Sequence, residues 1–206
     1  MEQFATEEQQ VEAIKRFWKE HGTAIIVGAA LGLGGLWGWR YYSESQIQSK
    51  EAASVAYQEA VETFGTEGSE AKVSAFIDAN KDSGYASIAS LLAAKQAADS
   101  GDLDAAASHL NTVVTFAENN ELKALASLRL ARVQIEMNQL DAALSTVSNV
   151  TNDAFAAEVS EIKGDVYQKQ NKFDDARLAY SSALEKNANN PLLQMKLDNL
   201  SVATGQ

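Results

Sequence analysis

Gly164-Asp-Val-Tyr167-Gln-Lys-Gln-Asn-Lys-Phe173-Asp-Asp-Ala176-Arg-Leu-Ala-Tyr180-Ser-Ser-Ala183 is the stretch that decides the fold. Gly164, Tyr167, Ala176, Tyr180 and Ala183 alternate small and large residues at helical spacing, and Gln170-Asn-Lys interrupts them. Two earlier stretches align with its second half, Asp99-Ser-Gly-Asp-Leu103-Asp-Ala-Ala106 and Met137-Asn-Gln-Leu140-Asp-Ala-Ala143, with successive units offset by 37 and then 33 residues. Each is a turn residue, an apolar residue and then alanine at the start of a new helix. Alanine at that point lets the second helix cross the first closely. The period is that of a helix-turn-helix repeat of the tetratricopeptide kind, about 34 residues long.

The last unit is the most typical. The middle unit keeps Ala131 and Ala143 but carries Gln134 where an aromatic is usual. The first keeps Ala94 and Ala106 with Ala97. Upstream, Gln46 to Phe64 and Ser69 to Asn80 read as amphipathic helices separated by Gly65-Thr-Glu-Gly68, and a further helix runs from about Ala86 to Asp99. Downstream, Pro191 stands at a favoured first-turn position and opens a terminal helix that caps the stack. Pro191 is the only proline, and no stretch alternates as a strand does. The predicted fold is all-α.

The amino end requires a different solvent. Gly22 to Trp39 is eighteen residues without a charge, enough to cross roughly 27 Å of hydrocarbon as a helix. Phe17 and Trp18 border one end, and Trp37, Trp39, Tyr41 and Tyr42 the other, as aromatic rings do at headgroup level. The run contains six glycines, each costing about 1 kcal/mol against alanine in a water-soluble core helix. A cleaved signal peptide is disfavoured, because Glu2, Glu7, Glu8 and Glu12 replace the expected basic start and no Ala-x-Ala follows. Lys15, Arg16 and Lys19 precede the run while Arg40 and Lys50 follow it, so the amino end is expected inside.

Thr6-Glu-Glu-Gln9 has the spacing of a capping box. Val11, Ile14, Phe17 and Trp18 then form an apolar stripe, predicting a short amphipathic helix on the inner membrane face; a loose polar tail is the alternative. Within the run, Ala24, Gly28, Gly32 and Gly35 share one helical face and include a GxxxG pair, which suits close packing on a second membrane helix or on a second copy. Glycine is also simply common in membrane helices. The domain division expected is therefore 1–21 amphipathic segment, 22–42 transmembrane helix and 43–206 repeat domain.

Beyond position 40 the chain carries 13 Lys and Arg against 23 Asp and Glu. That excess disfavours nucleic acid and anionic lipid as partners of the repeat domain. Catalysis finds little material: there is no cysteine, and His21 and His109 are the only histidines, so a zinc site or a Cys–His nucleophile is not expected. Asp102, Asp104, Asp174 and Asp175 fall in repeat turns, where capping of helix starts is the expected role. No catalytic residue, metal or cofactor is predicted. The face of the first helices in the pairs is the expected groove, with Arg132, Ile135, Asp165 and Gln168 as candidate contacts.

Gln10-Val-Glu-Ala-Ile-Lys-Arg-Phe-Trp-Lys-Glu-His-Gly22, the glycine-rich run, Gly38-Trp-Arg-Tyr-Tyr42 and the helix Leu128-Arg-Leu-Ala-Arg-Val-Gln134 together resemble the YfgM family of ancillary SecYEG translocon subunits of Gram-negative bacteria. The resemblance implies a single-pass, type II inner-membrane protein with a short cytoplasmic amino end and a tetratricopeptide-like α-solenoid of about three to four helix pairs in the periplasm. It further implies a non-enzymatic adaptor that sits in the membrane lipid beside SecYEG, pairs with a PpiD-like membrane-anchored chaperone and helps emerging chains reach periplasmic chaperones. The alternative it implies is restraint of the Rcs envelope-stress response regulator through the cytoplasmic amino terminus.

Overall fold

The structure, a computed structural model, describes residues 7–204 apart from Glu67 and Asp82, with the side chains at 7–9 and 201–204 left aside. Thr6 of the expected capping box lies outside these residues. Nine α-helices and one 3-10 turn make up the described chain: α1 Glu7–Glu62, α2 Ser69–Ala79, α3 Gly84–Asp99, α4 Leu103–Phe116, α5 Asn120–Glu136, α6 Leu140–Ser148, the 3-10 turn Asp153–Phe155, α7 Ala156–Lys169, α8 Phe173–Lys186 and α9 Pro191–Thr204. They divide into two compact units, Met1–Ala52 and Ala53–Gln206.

The first unit is built on α1. The sequence reading breaks this region near residues 21 and 42–46, yet α1 runs for 56 residues without interruption. The physical reason is that nothing between Glu7 and Glu62 stops a helix. There is no proline, and the six glycines are dispersed among leucine, alanine and isoleucine.

The second unit is a stack of helix hairpins, and its turns follow one recipe. Gly101, Asn138 and Asn171 stand at equivalent points with φ of 84°, 60° and 59°. Only glycine, or asparagine at modest cost, enters this left-handed region readily. The following amide reaches back five residues each time: Asp102 N–H donates to the Ala97 carbonyl (2.8 Å), Gln139 to Gln134 (2.7 Å) and Lys172 to Tyr167 (2.9 Å). These bonds close the orphan carbonyls of α3, α5 and α7 and reverse the chain. Asp102 then caps α4, its carboxylate accepting from Ala105 N–H at 2.9 Å. Asp104, Asp174 and Asp175 do not cap. They lie in the first turns of α4 and α8, where carboxylates complement the helix dipole, and Asp174 pairs with Arg177.

Small residues sit where the hairpins close. Ala94, Ala106, Ala131, Ala143 and Ala176 are all buried. Gly164 marks the tightest crossing, since a Cβ there would stand 2.4 Å from the Tyr180 ring. Gln134, in the place of an aromatic, accepts a hydrogen bond from Thr146 Oγ1 at 2.8 Å and ties α5 to α6. The core is a succession of clusters, each shared by neighbouring elements. Ala60, Val73, Phe76, Ile77 and Ala89 join the end of α1 to α2 and α3, Ala94, Leu110, Val113, Ala126 and Leu130 join α3, α4 and α5, and Leu128, Ala143, Val147, Ile162 and Val166 join α5, α6 and α7. The last cluster contains Tyr180, Ala183, Leu193 and Leu200 and docks α9 on α8.

Candidate functional site

The described helices offer three places where chemistry or recognition can be built: the apolar length of α1, a recess beside His109, and the face made by α3, α5 and α7.

Along α1 an 18-residue window reaches a mean hydropathy of 1.4 with 6% of it buried. The helix is long and apolar enough to cross a membrane by length and composition. Leu31, Leu33, Leu36 and Trp37 are about 70% exposed, an arrangement that water would penalise at about 1.5–3 kcal/mol per large side chain. Ala24, Gly28, Gly32 and Gly35 fall within a narrow arc at 100° per residue. A Cβ added at Gly28, Gly32 or Gly35 would meet nothing within 4 Å, so the arc is a shallow channel along the helix.

The recess is a pocket of about 110 Å³ whose walls include Phe64, Glu70, Val73, Ala97, Asp102 and His109. Burial lowers the His109 pKa below its ordinary value of 6.5, while the charges of Glu70 and Asp102 oppose the shift. The imidazole is consequently neutral at pH 7. Ser74 and Ser100 line the same recess, and Glu70 and Asp102 act on the imidazole through their charge.

The third place is the face of the first helices. Each of α3, α5 and α7 packs on the helix before it and on its hairpin partner after it, and α5 and α7 also pack on each other, which leaves one narrow exposed strip per helix. On α5 that strip holds Leu125, Arg129, Arg132 and Glu136, and on α3 it holds Ile88, Leu92, Lys95 and Asp99. Arg132, expected as a groove contact, lies on the strip and is exposed. Ile135 does not. It is 5% exposed and packs in the cluster with Leu128, Ile162 and Val166. At 100° per residue Leu125, Arg129, Arg132 and Glu136 fall within one arc of about 60°, and Ile135 falls about 60° beyond its Arg132 edge, on the buried side with Leu128 that faces α7.

Asp165 and Gln168 are held in an internal network instead of facing a partner freely. The Tyr180 hydroxyl donates to Asp165 Oδ1 at 2.8 Å and contacts Gln168 Oε1 at 2.9 Å. Lys196 of α9 donates to Asp165 Oδ1 at 2.7 Å and to Glu161 Oε1 at 2.8 Å, and its ammonium lies 5.8 Å from the Tyr180 ring centre. Burial pushes the Tyr180 pKa well up, as do the hydrogen bond and charge of Asp165. Burial would lower that of Lys196, but the bonds to Asp165 and Glu161 outweigh it and raise the pKa. The network therefore fastens α9 to α7 and α8. The sequence reading misses it because its members lie 31 and 35 residues apart. It also misses Ile88, Leu92 and Arg129 as strip residues, although the recurrence of 88, 92, 95 and 99 every three or four positions marks the α3 strip.

Comparison with known proteins agrees with this architecture. The family model described as a tetratricopeptide repeat-like domain matches residues 15–202. The chain is 38% identical to the ancillary SecYEG translocon subunit of Escherichia coli strain K12 over 98% of its own length and 100% of that protein. It is 34% identical to the proteins of the same name from Haemophilus influenzae and Neisseria gonorrhoeae, over 94% of this chain and 97% of each. Among solved structures, MamA (residue 41 to the end) of Desulfovibrio magneticus RS-1 superposes with a TM-score of 0.59 at 16% identity, covering 76% of this chain and 86% of that one, a likeness of fold. On the full-length matches, the chain belongs to the family of ancillary SecYEG translocon subunits, with a tetratricopeptide repeat-like domain.

Proposed function

We propose that this protein is a non-enzymatic adaptor of the Sec translocon, anchored in the inner membrane by residues 22–42 of α1, with residues 1–21 in the cytoplasm and 43–206 in the periplasm. The relatives' name, read together with the apolar α1 and the helical stack, is the observation that carries this reading. The anchor docks beside a translocon helix through Ala24, Gly28, Gly32 and Gly35, where the open channel admits another backbone at close range. The stack holds a PpiD-like chaperone or an emerging chain outside. Orientation rests on the Lys and Arg excess ahead of the span.

A photo-crosslinking residue placed at Gly28 in the full chain, followed by detergent recovery, tests the docking. Adducts with a SecYEG or chaperone component are expected; adducts with neither would remove the reading. The exposed stripe Val11, Ile14, Trp18 with Lys15 and Arg16 interleaved favours a second role at the cytoplasmic end, restraint of the Rcs regulator. Deleting residues 2–12 would then alter an envelope-stress reporter while translocon recovery persists.

A further inference from the structure

From the α3 and α5 strips, we infer that the stack binds an extended peptide segment in which an apolar residue is followed about three positions later by Asp or Glu, the apolar residue resting on Ile88 and Leu92 and the carboxylate on Arg129 and Arg132. This rests on the adaptor reading above and specifies what its periplasmic part would grip.

Two observations meet at one place. Ile88 and Leu92 are 44% and 36% exposed and one turn apart on α3, an apolar step on a helix otherwise lined at its surface by polar groups. On the neighbouring α5 strip, Arg129 and Arg132 are both exposed. Neither forms an ion pair or side-chain hydrogen bond among the described residues, whereas Lys95, Lys169, Arg177 and Lys196 are each paired. In a chain of net charge −11, these two guanidinium groups lie side by side on one exposed strip without a carboxylate bound to either. At a spacing of three on one helix they also repel each other. An incoming carboxylate relieves both conditions, and the planar guanidinium fork suits bidentate binding of it.

Register follows from the packing. Leu91 and Ala94 of α3 and Ala126 and Leu130 of α5 share one cluster with Leu110 and Val113 of α4, which sets the two strips on successive units of the stack, at a spacing on the order of the 8–10 Å between neighbouring helices. An extended chain covers that in about three residues.

The test uses the full chain in nanodiscs of neutral lipid, with empty nanodiscs as the blank, and three dye-labelled dodecapeptides of the repeats Leu-Ser-Ala-Glu, Leu-Ser-Ala-Gln and Leu-Ser-Ala-Lys. Fluorescence anisotropy is expected to rank Glu above Gln by about tenfold, with Lys weakest. The overall negative field alone would rank Lys first. R129Q/R132Q should bring the Glu and Gln peptides to within about twofold, and I88S/L92S should weaken both alike, with unchanged melting curves in each case. Tightest binding of the Lys peptide, no binding of any, or a Glu preference that survives R129Q/R132Q would overturn the inference. Translocon recovery measured on the wild type in parallel separates the two ideas: its loss removes the adaptor reading, while its persistence beside a failed peptide ranking removes only this inference.

Discussion

Gly164 has a side-chain-free Cα because the Tyr180 ring occupies the place of its Cβ, with two ring carbons at 2.4 Å. Tyr180 is fully buried and its hydroxyl is anchored by Asp165, so the ring has no room to retreat. G164A is expected to destabilise the repeat unit by about 1–3 kcal/mol through overpacking, read as a lower urea midpoint with an unchanged slope. Lys196 supplies a second test. The side chains of Lys196, Glu161 and Asp165 are 23%, 16% and 26% exposed, so they are screened less than surface pairs. K196M should cost about 1–3 kcal/mol, because two carboxylates are left facing each other without their ammonium. The pKa of Lys196 is raised on folding, and a raised base stabilises fully below its unfolded value. The wild type is therefore expected to lose this contribution as pH climbs past the ordinary lysine value of 10.5. K196M should lack that alkaline loss. Residue identities at turns were legible in advance: Gly101, Asn138 and Asn171 are the residues a left-handed turn selects. Ile135 was misread because spacing from Arg132 locates a strip only when the three packed sides of α5 are known.

At the scale of the element, α1 shows what local patterning can and cannot tell. The apolar run, the flanking aromatic rings and the basic residues are visible in sequence, since each depends only on neighbours along the chain. Continuity was not. The change from amphipathic stripe to apolar run and back suggests separate helices, but a helix ends only where a competing hydrogen-bond pattern replaces it, and the first such place is Gly65, at φ 83°. The small-residue channel yields an element-level prediction. G28L/G32L should leave the protein in the membrane fraction, because leucine keeps the run apolar and a Cβ at either position meets nothing within 4 Å. Recovery of translocon components should fall several-fold as the channel fills. Equal recovery from wild type and variant would show that docking uses another face.

Across the whole molecule, the stack stores its stability between neighbours. Each core cluster spans adjacent hairpins, so the terminal hairpin depends on α9 for its outer cover. Leu193 and Leu200, at 1% and 0% exposure, bury against α8 and contribute about 1.5–3 kcal/mol each. Truncation before Pro191 is expected to expose Tyr180 and Ala183. Hydrogen exchange should then accelerate in α7 and α8 first, with α3 and α4 protected longest, as nearest-neighbour stacking requires. Uniform acceleration would indicate a single cooperative core instead. This long-range cover was the least legible feature, because Lys196 meets Glu161 and Asp165 across 35 and 31 residues and no periodicity links them. The adaptor function belongs to the same scale, since it assigns the span and the stack separate partners. Crosslinking mass spectrometry on native membranes tests that division most directly. The prediction is that links from residues 22–42 fall on SecYEG, while links from α3 and α5 fall on a chaperone or an exported chain. Links from the stack confined to cytoplasmic proteins, or no Sec component linked to the span, would contradict it.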